Sequence, residues 1–228
     1  MTEASDTWRF FGRAWLAALA LSWTVGVIDA YSFQTYGVFT SNQAGNLVVL
    51  GTELPHNPDR AVLAGLSLLG AIVGVAVSTL LQRRLNRERW LQVAVPMLLM
   101  ILLVIVAALM RQLLQSPPQV LVPITSAGLA GLATAVLHVP AVHGWITANT
   151  GAVLTTVHAA FEGRNAPRTG GQPVQSAAMI TIGFLTGALA WGSGVLGNGD
   201  PSLVALIPTL IAVAVAVGNE LRVRRTQN

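Results

Sequence analysis

The sequence predicts an all-α, polytopic membrane protein of six transmembrane helices. They form two inverted three-helix repeats, each with a broken or half-helix Gly/Asn motif. Three observations predict this. The 228-residue chain is 53% hydrophobic and only 10% charged, where soluble domains carry roughly 25% charged residues. Its apolar residues gather into stretches long enough to span a bilayer. A polar, glycine-rich string interrupts the apolar pattern twice, as Gly37-Val-Phe-Thr-Ser-Asn-Gln-Ala-Gly-Asn46 and as Gly144-Trp-Ile-Thr-Ala-Asn-Thr-Gly151.

A spanning helix needs about 20 apolar residues, with a range of roughly 17–25. Trp15–Phe33 meets that length and carries one acid, Asp29. Ala18-Leu19-Ala20 resembles a signal-peptidase site, but a cut there leaves too short a hydrophobic region, so this helix is expected to stay uncleaved. The first motif follows, and its segment Asn42–Leu54 covers only about 20 Å against a ~30 Å hydrocarbon core. It is expected as a half-helix or as the broken start of the next helix. Ala61–Leu81 and Leu91–Met110 complete the first half. Val120–His138, the second motif, Val174–Leu196 and the marginal Leu203–Gly218 make up the second.

Arginine placement orients these spans, since lysine is absent. With the N-terminus inside, Arg9 and Arg13, the Arg83–Arg89 loop, Arg164 and Arg168, and Arg222–Arg225 are all cytoplasmic. Only Arg60 and Arg111 lie outside. That is the bias expected of cytoplasmic loops. Counting Asn42–Leu54 as a full span would move the Arg83–Arg89 loop outside. The expected organisation is a cytoplasmic segment 1–14, one transmembrane domain 15–218 and an Arg-rich cytoplasmic tail 219–228. Repeat 1 covers about 15–110 and repeat 2 about 120–218. Gly26-Val-Ile-Asp-Ala30 aligns with Gly131-Leu-Ala-Thr-Ala135, and Leu69-Gly70-Ala71 with Thr186-Gly187-Ala188. Three spans per half is odd, so the second half must enter from the opposite side.

The candidate binding residues sit in and beside the motifs. Apolar segments interrupted at corresponding places in two halves point to a transporter's binding site. Asp29 is the only acid within a predicted span, and a carboxylate there costs about 2.5–3.5 kcal/mol on insertion scales. It can serve proton or cation coupling, or hydrogen-bond the broken backbone near Ser41 and Asn42. Thr40, Ser41 and Asn42 are residue types that cap helix N-termini. Gly45 and Asn46 suit close backbone approach and side-chain hydrogen bonding. Thr147, Asn149, Thr150 and Gly151 offer the same chemistry in the second half, with His138 as a proton-relay or solute contact. A helix starting inside a membrane presents free N–H groups and a positive dipole end to a polar or anionic ligand.

Several classes are excluded or disfavoured. The chain has no cysteine, hence no disulfide or thiolate site. His138 and His143 flank a Pro140 turn without a carboxylate, so no metal or other cofactor is expected. No nucleophile–base pair stands out, so an enzyme is not expected. The pI near 11 does not indicate nucleic acid, because the arginines lie between membrane segments. Gly70-Ala-Ile-Val-Gly74 and Gly183-Phe-Leu-Thr-Gly187 let helices approach closely. They are read first as packing within the chain and second as the seam of a homo-oligomer.

The run Gly26-x-x-Asp29-Ala30-x-x-Phe33, then Gly37-x-Phe39-x-Ser41-Asn42-x-x-Gly45-Asn46 and Leu50-Gly51, resembles the signature of the YoaK family. These are uncharacterised bacterial integral membrane proteins, grouped as a domain of unknown function. Ala44 stands where that family usually has Thr or Ser, and Thr134 where it tends to have Asn. The resemblance implies six helices in a bacterial cytoplasmic membrane and implies no substrate. The expected function is a secondary transporter or channel for an unidentified small polar solute, with the bilayer as the other partner. The alternative is a non-transporting scaffold or accessory subunit.

Overall fold

The computed structural model describes residues 14–85, 89–135, 174–196 and 201–227. Those residues form seven helices and no strand: α1 (Ala14–Tyr36), α2 (Gln43–Glu53), α3 (Pro58–Arg84), α4 (Arg89–Leu114), α5 (Pro118–Ala135), α6 (Val174–Gly192) and α7 (Pro201–Gln227). Four stretches among them are long and apolar enough to cross a membrane: Leu16–Tyr36, Pro58–Arg84, Leu91–Leu114 and Pro118–Ala135. Ala178–Gly192 and Leu203–Val215 are apolar but shorter. Two expected boundaries shift. Helix α6 stops at Gly192 rather than reaching Leu196, and Gly194 beyond it takes a positive φ. Helix α7 does not end at Gly218 but continues to Gln227, so most of the expected tail is helical.

Around an apolar core that includes Leu21, Ile28, Met97, Met100 and Leu129, the packing departs from that of a protein in water. Buried positions include Ser22, Thr24, Ser67, Ser78, Ser126 and Thr209, each at 0% exposure, while Leu69 and Ile72 of α3, Leu102 of α4 and Leu185 and Leu189 of α6 face outward. In water, burying the large apolar side chains would be the main driving force. In lipid that force between helices is absent, and close backbone approach and interhelical hydrogen bonds take over. The chain is a membrane protein whose described residues form helices and no strand.

Two helix pairs dominate the packing. In one, α3 and α5 run parallel: Gly70 meets the backbone of Pro123, Gly74 that of Ala127, and Gln82 reaches the carbonyls of Thr134 and Ala135. In the other, α1 and α6 run parallel: Gly183 meets Leu19, Gly187 meets Trp23, and the Tyr31 and Trp191 rings make an edge contact at 5.2 Å. A Cβ at Gly70, Gly74 or Gly187 would overlap a carbonyl oxygen of the facing helix. These glycines are used within the chain. Parallel pairing also means that α5 ends, and α6 begins, at the same end of the bundle.

Helix α7 closes on α1 through hydrogen bonds. Thr24 Oγ1 lies 2.5 Å from the Ala205 carbonyl oxygen and 2.9 Å from Thr209 Oγ1, all buried. With one proton, Thr24 donates to Ala205 and accepts from Thr209. Valine at either threonine keeps the volume and removes that chain. A double-mutant cycle on Thr24→Val and Thr209→Val should give a coupling energy of about 0.6–1.7 kcal/mol, typical of interhelical polar pairs in membranes. Additive losses in equilibrium unfolding would show that the pair does not interact.

Candidate functional site

The first motif folds as a descent and return. Helix α1 ends at Tyr36, where Gly37 turns the chain at φ +73 and its carbonyl accepts from Arg60 Nε at 2.8 Å. Arg60 also pairs with Glu53 at 2.7 Å, so the start of α3 holds both ends of the segment. Between them, residues 38–42 lie back along α1 and α2 begins at Gln43. Asn42 is its N-cap, with Oδ1 accepting from Gly45 N at 3.1 Å. Helix α2 has 11 residues, about 16 Å at 1.5 Å per residue, half of a membrane core. It is a short helix of its own, ending at Glu53 before α3 begins at Pro58.

Asp29 anchors this loop. Its Oδ1 accepts from Thr40 N at 2.8 Å, Thr40 Oγ1 at 3.1 Å and Ser41 N at 2.7 Å, and its Oδ2 accepts from Ser41 Oγ at 2.5 Å. The side chain is 1% exposed. Two buried backbone N–H groups before the helix start need acceptors, and the Asp29 carboxylate supplies them. Of the two roles Asp29 can play, the geometry here is that of a backbone anchor.

Asn46 ties the same loop to α3 and α5. Its Oδ1 accepts from Phe39 N at 2.9 Å, and its Nδ2 lies 2.7 Å from Phe39 O and 2.8 Å from Ser67 Oγ. Ser67 Oγ in turn lies 2.8 Å from Ser126 Oγ of α5. A Cβ at Gly45 would overlap the Phe39 ring, so glycine there allows the loop to close against α2. Asp29, Ser41, Asn42, Gly45 and Asn46 are thus brought together in one buried polar knot. Thr147, Asn149, Thr150, Gly151 and His138 lie outside the described residues. Thr134 is buried and bonds back to Ala130 O at 2.8 Å.

The sequence reading missed Gln43, Ser67 and Ser126, which complete the knot. Ser67 and Ser126 join only because α3 and α5 pack together, a contact across 59 residues that no local spacing reports. It also missed a small cavity beside the knot. A space of about 20 Å³ lies between α1, α4 and α5, lined by Tyr31, Ser32, Tyr36, Thr40, Arg111 and Thr125 with apolar neighbours. Arg111 had served only as a charge for orientation. A sequence signal did exist: the two tyrosines of the whole chain both line this space, their hydroxyls 3.0 Å apart.

Comparison with known proteins adds the following. The model of a family described as "Protein of unknown function (DUF1275)" matches residues 17–218. The chain is similar to the UPF0700 transmembrane protein YoaK of Bacillus subtilis (strain 168), 33% identical over 69 residues. That alignment covers 29% of this chain and 31% of the relative's length. No solved structure matches.

Proposed function

The chain belongs to the DUF1275 family, and from that premise we propose that it is a secondary transporter or channel for a small polar solute, built from two inverted repeats. One observation carries the reading. Helix α1 packs on α6 and α7, and α5 packs on α3 and α4. The first long helix of each half therefore embraces the second and third of the other half. Details repeat as well. The second long helix of each half uses a GxxxG face on a parallel partner. The third carries a proline seven residues after its first residue, Pro96 in α4 and Pro208 in α7. Interlocked inverted repeats with broken segments suit alternating access around a site between the halves. In this reading the repeats are 15–110 and 120–218, all six long helices span, and both termini and the Arg83–Arg89 loop are cytoplasmic in a bacterial inner membrane. The knot around Asn42 and Asn46 works with Thr147–Gly151 and His138 of the second half.

A second reading, a non-transporting scaffold, is favoured by a specific feature: the donors and acceptors of the first motif are taken up by one another. Site-directed thiol labelling separates the two readings in this naturally cysteine-free chain. Topology comes first. A cysteine at Asn57 should react with an impermeant reagent on intact cells and one at Arg84 should not; the reverse pattern overturns the orientation. Cysteines at Thr125, near the middle of α5, and at Thr134, at its end, then probe two depths of the bundle. Transport predicts that each is reached from its own side, and that modifying one protects the other. Fixed, independent reactivity of both positions favours the scaffold.

A further inference from the structure

We propose that the groove between α1, α6 and α7 holds an acyl chain of an anionic phospholipid, with Arg222 of α7 at the level of its phosphate. The groove is open and has a volume of about 660 Å³. Leu16 and Ala20 of α1 and Pro208, Ile211 and Val215 of α7 line it, and Leu16, Ile211 and Val215 are exposed. The described lining is apolar apart from Trp23 of α1 and Thr186 of α6. The Thr186 hydroxyl donates within its own helix, to Ile182 O at 2.7 Å. Such a lining suits a hydrocarbon chain and would leave the polar groups of a solute unpaired.

Charge at one end of the groove selects the lipid. Thr24 of α1 bonds to Ala205 and Thr209 of α7. From there the lining continues toward the start of α1 and the end of α7, so the two helices run antiparallel. The helix ends found together are the basic ones. Arg13 directly precedes α1 in sequence, and Arg222, Arg224 and Arg225 fall in the last turns of α7. Pro208, Val215 and Arg222 succeed one another at seven-residue intervals, two helical turns each, so Arg222 continues the face that lines the groove. Arg224 falls on the opposite face and Glu220 roughly 140° away. From Ile211 to Arg222 is about 16 Å along the helix, close to one leaflet of a ~30 Å core. Basic residues at the ends of transmembrane helices attract anionic headgroups. A second copy of the chain fits this face less well. Copies inserted in one orientation would meet here with their arginine ends at the same depth, and facing like charges oppose pairing. The inference depends neither on transport nor on the orientation of the chain.

The test uses the purified full-length chain in detergent. Its thermal unfolding midpoint is followed as dioleoylphosphatidylglycerol is added, against dioleoylphosphatidylcholine and against glycerol phosphate, which has the charge without the chains. The expected result is a saturable rise with phosphatidylglycerol, a weaker one with phosphatidylcholine and none with glycerol phosphate. Arg222→Gln should raise the phosphatidylglycerol concentration for half-saturation about fivefold, the worth of one basic residue near a charged lipid surface. Arg224→Gln, on the other face, should leave it unchanged. Ala20→Phe puts a ring into the groove and should weaken the response to both lipids. Should Ala20→Phe fail to fold, the two arginine variants decide. Equal responses to the two lipids overturn the proposal, as does a glycerol phosphate response matching that of phosphatidylglycerol. Equal effects of Arg222→Gln and Arg224→Gln mean general attraction to a charged surface and overturn it too. A dimer in light scattering that Ala20→Phe dissociates means that a second copy covers this face, which overturns it equally.

Discussion

Replacing Gly74 by alanine is expected to destabilise the fold by about 2–3 kcal/mol, the range for overpacking a tight contact, although only one methyl is added. The new Cβ would overlap the Ala127 carbonyl oxygen, and nothing there can rotate away, because the obstacle is backbone. Gly131 of α5 is pressed against the Gly74 carbonyl in the same region, with a Cβ there 3.0 Å from it. The α3–α5 contact is therefore backbone on backbone, and a side chain on either helix drives the pair apart. That pair also holds the Ser67–Ser126 bond and the cap that Gln82 places on the end of α5. Gly65 is the control on the same helix. A Cβ there meets nothing within 4 Å, so Gly65→Ala should be neutral or stabilising by about 0.4–1 kcal/mol through the unfolded chain. Equilibrium unfolding of both variants decides the matter. Equal effects at Gly65 and Gly74 would mean that close approach does not hold these helices together.

Asp29→Leu should cost roughly 2–6 kcal/mol. It strands two buried backbone N–H groups, of Thr40 and Ser41, at about 1–3 kcal/mol each. In a chain of this size that lowers the thermal midpoint on the order of 10 °C. Asp29→Asn is the informative companion. Its remaining oxygen can still accept from both amides, and the Ser41 hydroxyl can turn to accept from the new Nδ2. A loss of only about 1 kcal/mol is expected. Hydrogen exchange at the Thr40 and Ser41 amides should be fast in Asp29→Leu and slow in Asp29→Asn. If Asp29→Leu unfolds like the parent chain, the carboxylate is not what holds the loop, and a ligand-facing role regains the ground. This departs from a purely coupling reading of the acid within α1, because every hydrogen bond of Asp29 among the described residues runs to the loop it anchors.

Local features were legible without coordinates. That Asn42–Leu54 is too short to span followed from its length, and Thr40, Ser41 and Asn42 were cap candidates by residue type, of which Asn42 is the N-cap. The alternative of a structural role for Asp29 was visible in the proximity of Ser41 and Asn42. Partners across helices were not legible. Ser67 and Ser126 looked like ordinary small residues in apolar helices, and Arg111 like a loop charge. Their roles come from α5 lying beside both α3 and α4.

The sequence alone determined the class of molecule and the position of the break after α1. The density of apolar side chains leaves too few charges for a water-facing surface, and Gly, Asn and Thr within an apolar run interrupt a helix wherever the chain folds. Both are properties of a segment and its solvent, so they can be read in order along the chain. Only the tertiary structure decided which helices pair, that Asp29 and Asn46 are spent on the loop they belong to, and that Ser32 and Arg111 share a space. Those outcomes depend on the crossing of helices far apart in sequence. In lipid, such crossings are selected by backbone fit at a few glycines and by single hydrogen bonds, and neither leaves a periodic mark in the sequence.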